Sequence, residues 1–220
     1  LPVRVVVKRS GPDPHDLELE LITSLSLLAG SGLSPLRSRL GVAAREAFPA
    51  GERAFIHRVA TLWRQDPSAL SQKLARVRPD AVAAIAGGKR AGLSWLLWGA
   101  TAYPPRLACI HDPPPVIWCR GDPARLAGLC VAVVGARSAS AYARDVAEKL
   151  GEGLARRGVT VVSGMARGVD GAAHRGALAG GGPTIAVLGS GADVVYPTEH
   201  RELADAVARN GAVISEFEPG

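Results

Sequence analysis

LCVAVVGARSASAYARDVAEKLGEGLARRGVTVVSGMARGVD, residues 129–170, reads as strand, turn, helix, strand and turn. Leu129 to Val134 is a short, nearly continuous apolar run, the pattern of a parallel strand buried on both faces. Gly135 ends it, and Ala136, Arg137 and Ser138 follow at once. Tyr142, Val146, Leu150 and Leu154 recur every fourth residue and predict one face of an amphipathic helix. Gly158 closes that helix, and Val159 to Ser163 form the next strand. Gly164 to Asp170 is a second small-residue turn, with Asp170 placed to cap the helix after it.

Two such turns after neighbouring strands predict two helix N-termini on the carboxyl edge of a parallel sheet, where open α/β sheets bind ligands. Unpaired N–H groups and the positive end of the helix dipole favour an anion there. Arg137 and Arg167 lie one in each turn. The expectation is a phosphate-binding edge carrying two arginines.

Toward the C-terminus the alternation continues. Residues 171–179 predict a short Ala-rich helix and Thr184–Leu188 a third strand. Gly189-Ser190-Gly191-Ala192 is a third small-residue turn. Glu199–Arg209 predict a helix capped by Thr198, and Ala212–Ser215 a fourth strand. Strands alternating with helices imply parallel βαβ units.

Toward the N-terminus the character changes. Residues 1–16 predict a tail or an edge strand over Val3–Val7. Residues 17–88 predict a small basic helical domain. Leu17, Leu21, Leu25 and Leu28 stripe a first helix, Gly30-Ser31-Gly32 turns the chain, and Ser34-Pro35 opens a second helix. Arg53–Leu62, Ser68–Arg76 and Asp80–Ala86 follow as short helices. The Gly-x-Gly corner has the outline of a helix-hairpin-helix, although Ser31 stands where such hairpins prefer an apolar residue; a plain helical corner is the competing reading. Residues 89–115, rich in proline, predict the boundary region, with Trp95 and Trp98 as packing residues. Residues 116–220 form the α/β domain.

Charge divides the same way. The chain carries 26 Lys+Arg and 20 Asp+Glu, a net charge of +6. Residues 1–128 hold 17 against 10 and residues 129–220 hold 9 against 10, so the basic field belongs to the first half. A pI of about 9.7 leans toward polyanionic partners. No apolar run reaches the length of a membrane span, and no secretory signal opens the chain. Cys109, Cys119 and Cys130 show no zinc spacing and read as reduced thiols of a cytoplasmic protein. A start at Leu1 and a stop just after a strand-like run are expected of a piece of a longer chain.

Several chemistries are disfavoured. The first turn has Arg137 where a dinucleotide fingerprint needs its second glycine, and the second strand ends in Ser163-Gly164 rather than an acid for ribose. There is no G-x-x-x-x-G-K-[ST] loop. No cofactor, metal or catalytic group is expected. Asp170 and His174, four apart on one helix, can be an acid/base pair, or Asp170 can cap while His174 donates to a nearby carbonyl.

VVGARSAS (133–140), SGMARGVDGAAHRGAL (163–178), LGSGADVVYP (188–197) and VISE (213–216) resemble the Rossmann-like domain of the DNA-processing protein A family, DprA or Smf. YPPRL (103–107) and IHDPPPVIWCRG (110–121) match that family's lead-in. The N-terminal helical part resembles its sterile-alpha-motif-like domain loosely. The resemblance implies a dimeric, non-enzymatic protein that binds and shields single-stranded DNA and helps to load RecA recombinase in natural transformation and recombination. It puts the phosphate pocket on Gly135, Ala136, Arg137, Ser138, Ser163, Gly164, Met165, Ala166, Arg167 and Gly168. The family often has Lys where Arg167 stands, and continues past this C-terminus with a Phe-Pro-x-Arg-Asn-Arg segment and further strands. A nucleotide-processing enzyme, phosphoribohydrolase-like on a related fold, is the alternative; Gly181-Gly182-Pro183-Thr184 is not that enzyme's Pro-Gly-Gly-x-Gly-Thr turn.

Overall fold

The structure, a computed structural model, describes residues 14–29 and 50–220. The expected strand over Val3–Val7, the Gly30-Ser31-Gly32 corner and the helix opening at Ser34-Pro35 lie outside the described residues. Helices α1 (Pro14–Ala29), α2 (Glu52–Trp63) and α3 (Pro67–Arg90) form the helical part. There follow β1 (Ser94–Leu97), one helical turn α4 (Pro105–Ala108), β2 (Val116–Gly121) and β3 (Cys130–Ala132). Then come α5 (Ala141–Ala155), β4 (Thr160–Ser163), α6 (Val169–Ala179), β5 (Thr184–Val187), α7 (Arg201–Asn210) and β6 (Ala212–Ser215).

Where three short helices are expected between residues 53 and 86, the chain makes two, and α3 runs unbroken through Pro79. The proline removes one backbone hydrogen bond. Leu70 and Leu74 before it and Ala81 and Ile85 after it are all buried, so packing on both sides holds one axis. Asp66 caps α3 by accepting from Ala69 N–H at 2.8 Å. Arg78 of α3 bonds Glu20 of α1 and, at 2.8 Å, Glu52 of α2, tying the three helices together. Their core of Leu19, Leu25, Phe55, Leu70 and Ile85 runs on into Trp118 of β2. The stripe expected on α1 is therefore broader: Leu19 and Ile22 are buried beside Leu21 and Leu25.

The sheet among the described residues has six strands in the order β1-β2-β6-β5-β4-β3. The β6-β5-β4-β3 pairs are parallel, as the alternating pattern requires, while β1 and β2 add on antiparallel. The stretch expected as a connecting region thus supplies a strand, with Trp95 on β1 edge-on to Trp118 at 6.2 Å. Cys119 is buried on β2, and burial pushes its thiol up to about 11.

Two expectations about the deciding stretch are corrected. β3 is three residues long and stands at the edge of the sheet, so Leu129, Val131 and Val134 are 56%, 37% and 70% exposed rather than buried on both faces. The first three residues of the apolar stripe of α5 also face outward, with Tyr142 78% and Leu150 49% exposed, while Leu154 packs against the core. The buried face of α5 is instead its small residues Ala147, Gly151 and Ala155. The reason is the closeness of α6. A Cβ on Gly151 would lie 2.4 Å from the Ala173 carbonyl oxygen, and one on Gly176 would lie 1.9 Å from that of Glu148. Only glycine at these crossings lets the two backbones approach so closely, and that approach selects the small-residue face.

Candidate functional site

The turns after β3 and β4 meet at the carboxyl edge of the sheet around a cleft of about 680 Å³. Of the ten residues expected there, Arg137, Ser138, Gly164, Met165, Ala166 and Arg167 line it. The other four shape it from behind. The Ser163 hydroxyl donates to the Val133 carbonyl at 2.6 Å, both buried, so it anchors β4 to the end of β3 instead of facing a ligand. Gly135 lies under Val169, where a Cβ would come within 2.7 Å of Cγ2. Gly168 has φ +80° and presses on the Ala136 and Arg137 carbonyls. Val169 N–H donates to the Ala136 carbonyl at 3.3 Å, stitching the two turns together.

The two helix N-termini differ from the expectation. Ser140 caps α5 by accepting from Ala143 N–H at 3.1 Å. Gly168, not Asp170, is the N-cap of α6, and no side chain bonds that end. Asp170 sits inside the first turn, 8% exposed. Likewise Thr198 does not cap α7: a 3-10 turn over Thr198–His200 precedes the helix, and His200 is the N-cap position. The backbone N–H groups of Ser138, Met165, Ala166 and Arg167 make no hydrogen bond among the described residues.

The two arginines are not equivalent. Arg137 is exposed and makes no ion pair among the described residues, so its guanidinium fork is free. Arg167 Nε donates to Glu199 Oε1 at 2.5 Å. That bond raises the arginine's proton affinity further and holds the Glu199 carboxyl below its usual range.

His174 is wholly buried. Its Nε2 donates to the Gly164 carbonyl at 2.6 Å, and its Nδ1 lies 2.7 Å from the Thr184 hydroxyl. A carbonyl can only accept, so Nε2 carries the proton; the Thr184 hydroxyl, which also lies 2.9 Å from the Val161 carbonyl, has one proton to share between that carbonyl and Nδ1. Burial pushes the imidazole down to about 4, against a smaller opposing effect of the Gly164 bond, and keeps it neutral. Of the two readings of the Asp170–His174 pair, this is the structural one: His174 braces the second turn against β5. Asp170 acts on it through charge alone, without a hydrogen bond.

The cleft also holds residues that the sequence does not point to. Asp170 is in its wall, and the turn after β5 contributes Gly189 and Ser190, with Tyr196 beyond it. Tyr196 is 70% exposed at the rim, next to Pro197. The small-residue turn Gly189–Ala192 is the signal that could have found them, since it follows a third parallel strand on the same edge. His200 reaches back to the turn after β4, its Nδ1 donating to the Met165 carbonyl at 2.8 Å.

Comparison with known proteins bears on this arrangement. The sequence profile of the family described as DNA recombination-mediator protein A matches residues 94–220. The DNA processing protein DprA of Bacillus subtilis is 32% identical over 153 residues, which are 69% of this chain and 52% of that protein. Protein Smf of Escherichia coli is 42% identical over 116 residues, 52% of this chain and 31% of that one. The chain thus spans about a third to a half of the length of these relatives. The X-ray structure of DNA processing protein A (DprA) from Streptococcus pneumoniae superposes with a TM-score of 0.71 at 28% identity, covering 90% of this chain and 68% of that one. Matched over its whole sheet, cleft included, the chain belongs to the DNA recombination-mediator protein A family, the family of DprA and Smf.

Proposed function

We propose that the cleft between the β3–α5 and β4–α6 turns is a phosphate site through which this protein holds single-stranded DNA. The observation that carries the reading is the guanidinium of Arg137, set in one wall beside backbone amides of the facing turn, both unbonded among the described residues. A guanidinium fork and backbone N–H groups are the donors that bind a phosphate oxygen pair. A cleft that takes one phosphate at a time suits a flexible single strand better than a duplex, whose phosphates are held in two fixed rows. The basic helical part adds a long-range attraction for polyanions.

Shielding of incoming single strands, help in loading RecA recombinase during natural transformation and recombination, and action as a cytoplasmic homodimer complete the proposal. They are supported by membership of the family, whose relatives bear names of DNA processing and recombination mediation. The role is binding rather than catalysis: His174, the base an acid/base mechanism would use, has both ring nitrogens engaged and is held neutral. No helix among the described residues is long and apolar enough to cross a membrane.

The test is a titration of single- and double-stranded oligonucleotides over a salt series. Tighter binding of the single strand, weakening as salt rises through counterion release, is expected. Equal affinity for the two forms at moderate salt overturns the reading.

A further inference from the structure

Asp170 is an anomaly in this cleft. It lines the wall together with Arg137 and Arg167, and is 8% exposed. Its carboxylate makes no hydrogen bond or ion pair among the described residues. A Cβ on Gly164 would come within 2.6 Å of Asp170 Oδ2, so the carboxylate lies directly over the Gly164 backbone in the cleft wall. An acid in the wall with no cation bonded to it is a poor choice for a site that merely collects negative charge.

We infer that the cleft is matched to the single negative charge of a phosphodiester, the internal linkage of a strand, and that Asp170 is the residue that turns away doubly charged phosphomonoesters. The inference rests on the phosphate reading of the cleft and deepens it. Arg167 is neutralised by Glu199. The positive end of α6 already has Asp170 in its own first turn. Arg137 is then the cation of the cleft wall that remains without a charged partner among the described residues. A phosphodiester carries one charge and is met by Arg137 and the turn amides. A phosphomonoester above its second ionisation carries close to two charges. The second finds no further cation and faces the like charge of the Asp170 carboxylate in the same wall. The same discrimination keeps free nucleotides and 5′-phosphorylated ends from occupying a site meant for the interior of a strand.

The experiment uses the whole chain and a fluorescent oligo(dT) lacking a 5′-phosphate. Thymidine 5′-phosphate and its methyl ester compete for it at millimolar concentration, at a pH well above the second ionisation of the monoester. The two competitors share base and sugar and differ in one charge. The methyl ester is expected to displace the oligonucleotide at a concentration about tenfold lower. In Asp170→Asn, checked for folding by thermal melt, the gap closes or reverses. A parent protein that prefers the dianion overturns the inference, and so does a folded Asp170→Asn that keeps the parent's gap. Should Asp170→Asn fail to fold, the paired competitors on the parent decide alone. If the oligonucleotide binds but neither competitor displaces it, the phosphate reading of the cleft fails, and the inference with it. That outcome is distinct from displacement without selection, in which only the inference fails.

Discussion

Gly168 and Arg137 hold the two turns at a fixed spacing: a Cβ on Gly168 would stand 2.6 Å from the Arg137 carbonyl oxygen and 2.2 Å from that of Ala136. Gly168 also has φ +80°, a left-handed backbone that strains any side chain. Gly168→Ala therefore meets both strain and contact. The expected outcome is a loss of at least about 1–2 kcal/mol in stability, read by thermal or denaturant melts. Single-strand affinity falls as the turns separate. A variant with parental melt and parental affinity would show that the spacing does not matter.

Arg137→Ala should weaken single-strand binding about ten- to a hundred-fold, the loss of one charge-assisted bond of roughly 1.5–3 kcal/mol. Arg137→Lys should recover part of this, since an ammonium cannot reproduce the fork. The loss should be similar across oligonucleotide sequences, with a shallower salt slope, because phosphate contacts carry no base information. Binding isotherms on folded variants check it. Parental affinity in Arg137→Ala would move the site to the basic helical part.

Arg167 is expected to contribute less, because Glu199 already occupies its guanidinium. Arg167→Ala should cost only a few-fold in affinity, the worth of an exposed charge shared with a neighbouring acid. Glu199→Gln removes the competitor and should tighten binding, more at low salt than at high salt. Isotherms at two ionic strengths distinguish this from a helix effect, which salt would not remove.

His174 makes stability depend on pH. Its imidazole titrates at about 4 when folded, against 6.5 as the ordinary value. Between those two values the unfolded chain binds a proton that the folded chain does not, so unfolding gains as pH falls. The stabilisation is complete above pH 6.5 and is lost as pH drops toward 4, by roughly 3 kcal/mol in all. Melts at pH 7 and pH 5 should differ, and the difference should shrink in His174→Gln. A pH-independent melt of the parent would mean that the imidazole is not buried neutral.

Much of the fold was legible because strand and helix periods differ and because glycines mark the turns. The parallel strand pairing and the two arginine turns follow from the alternation over residues 129–215, while the structural role of His174 is one of two readings that the sequence leaves open. What the sequence misjudged was direction. Tyr142, Val146 and Leu150 look like a core stripe by period, yet the interlock of Gly151 with Ala173 and of Gly176 with Glu148 turns another face inward. Periodicity says that a helix has two faces; closeness of approach decides which is buried. Asp170 looks like a cap because a helical run follows it, but a positive φ at Gly168 starts that helix two residues earlier. Glu199 lies 32 residues from Arg167, a separation at which no local pattern reports a pair.

The pairing of β2 with β6 carries a consequence for how the chain is made. Trp118 stands opposite Ser215 and Gly121 opposite Ala212, so β2 lies beside a strand made about ninety residues later in the chain. Until residue 215 emerges, β1 and β2 have no neighbour on that side, and the helical part can mature only around an unfinished hairpin. Closing so large a loop makes the sheet's assembly slow. Trp118, wholly buried in the finished protein, is a built-in clock for that step. Its fluorescence in refolding should settle with the last, slowest phase, well after the helical signal has appeared.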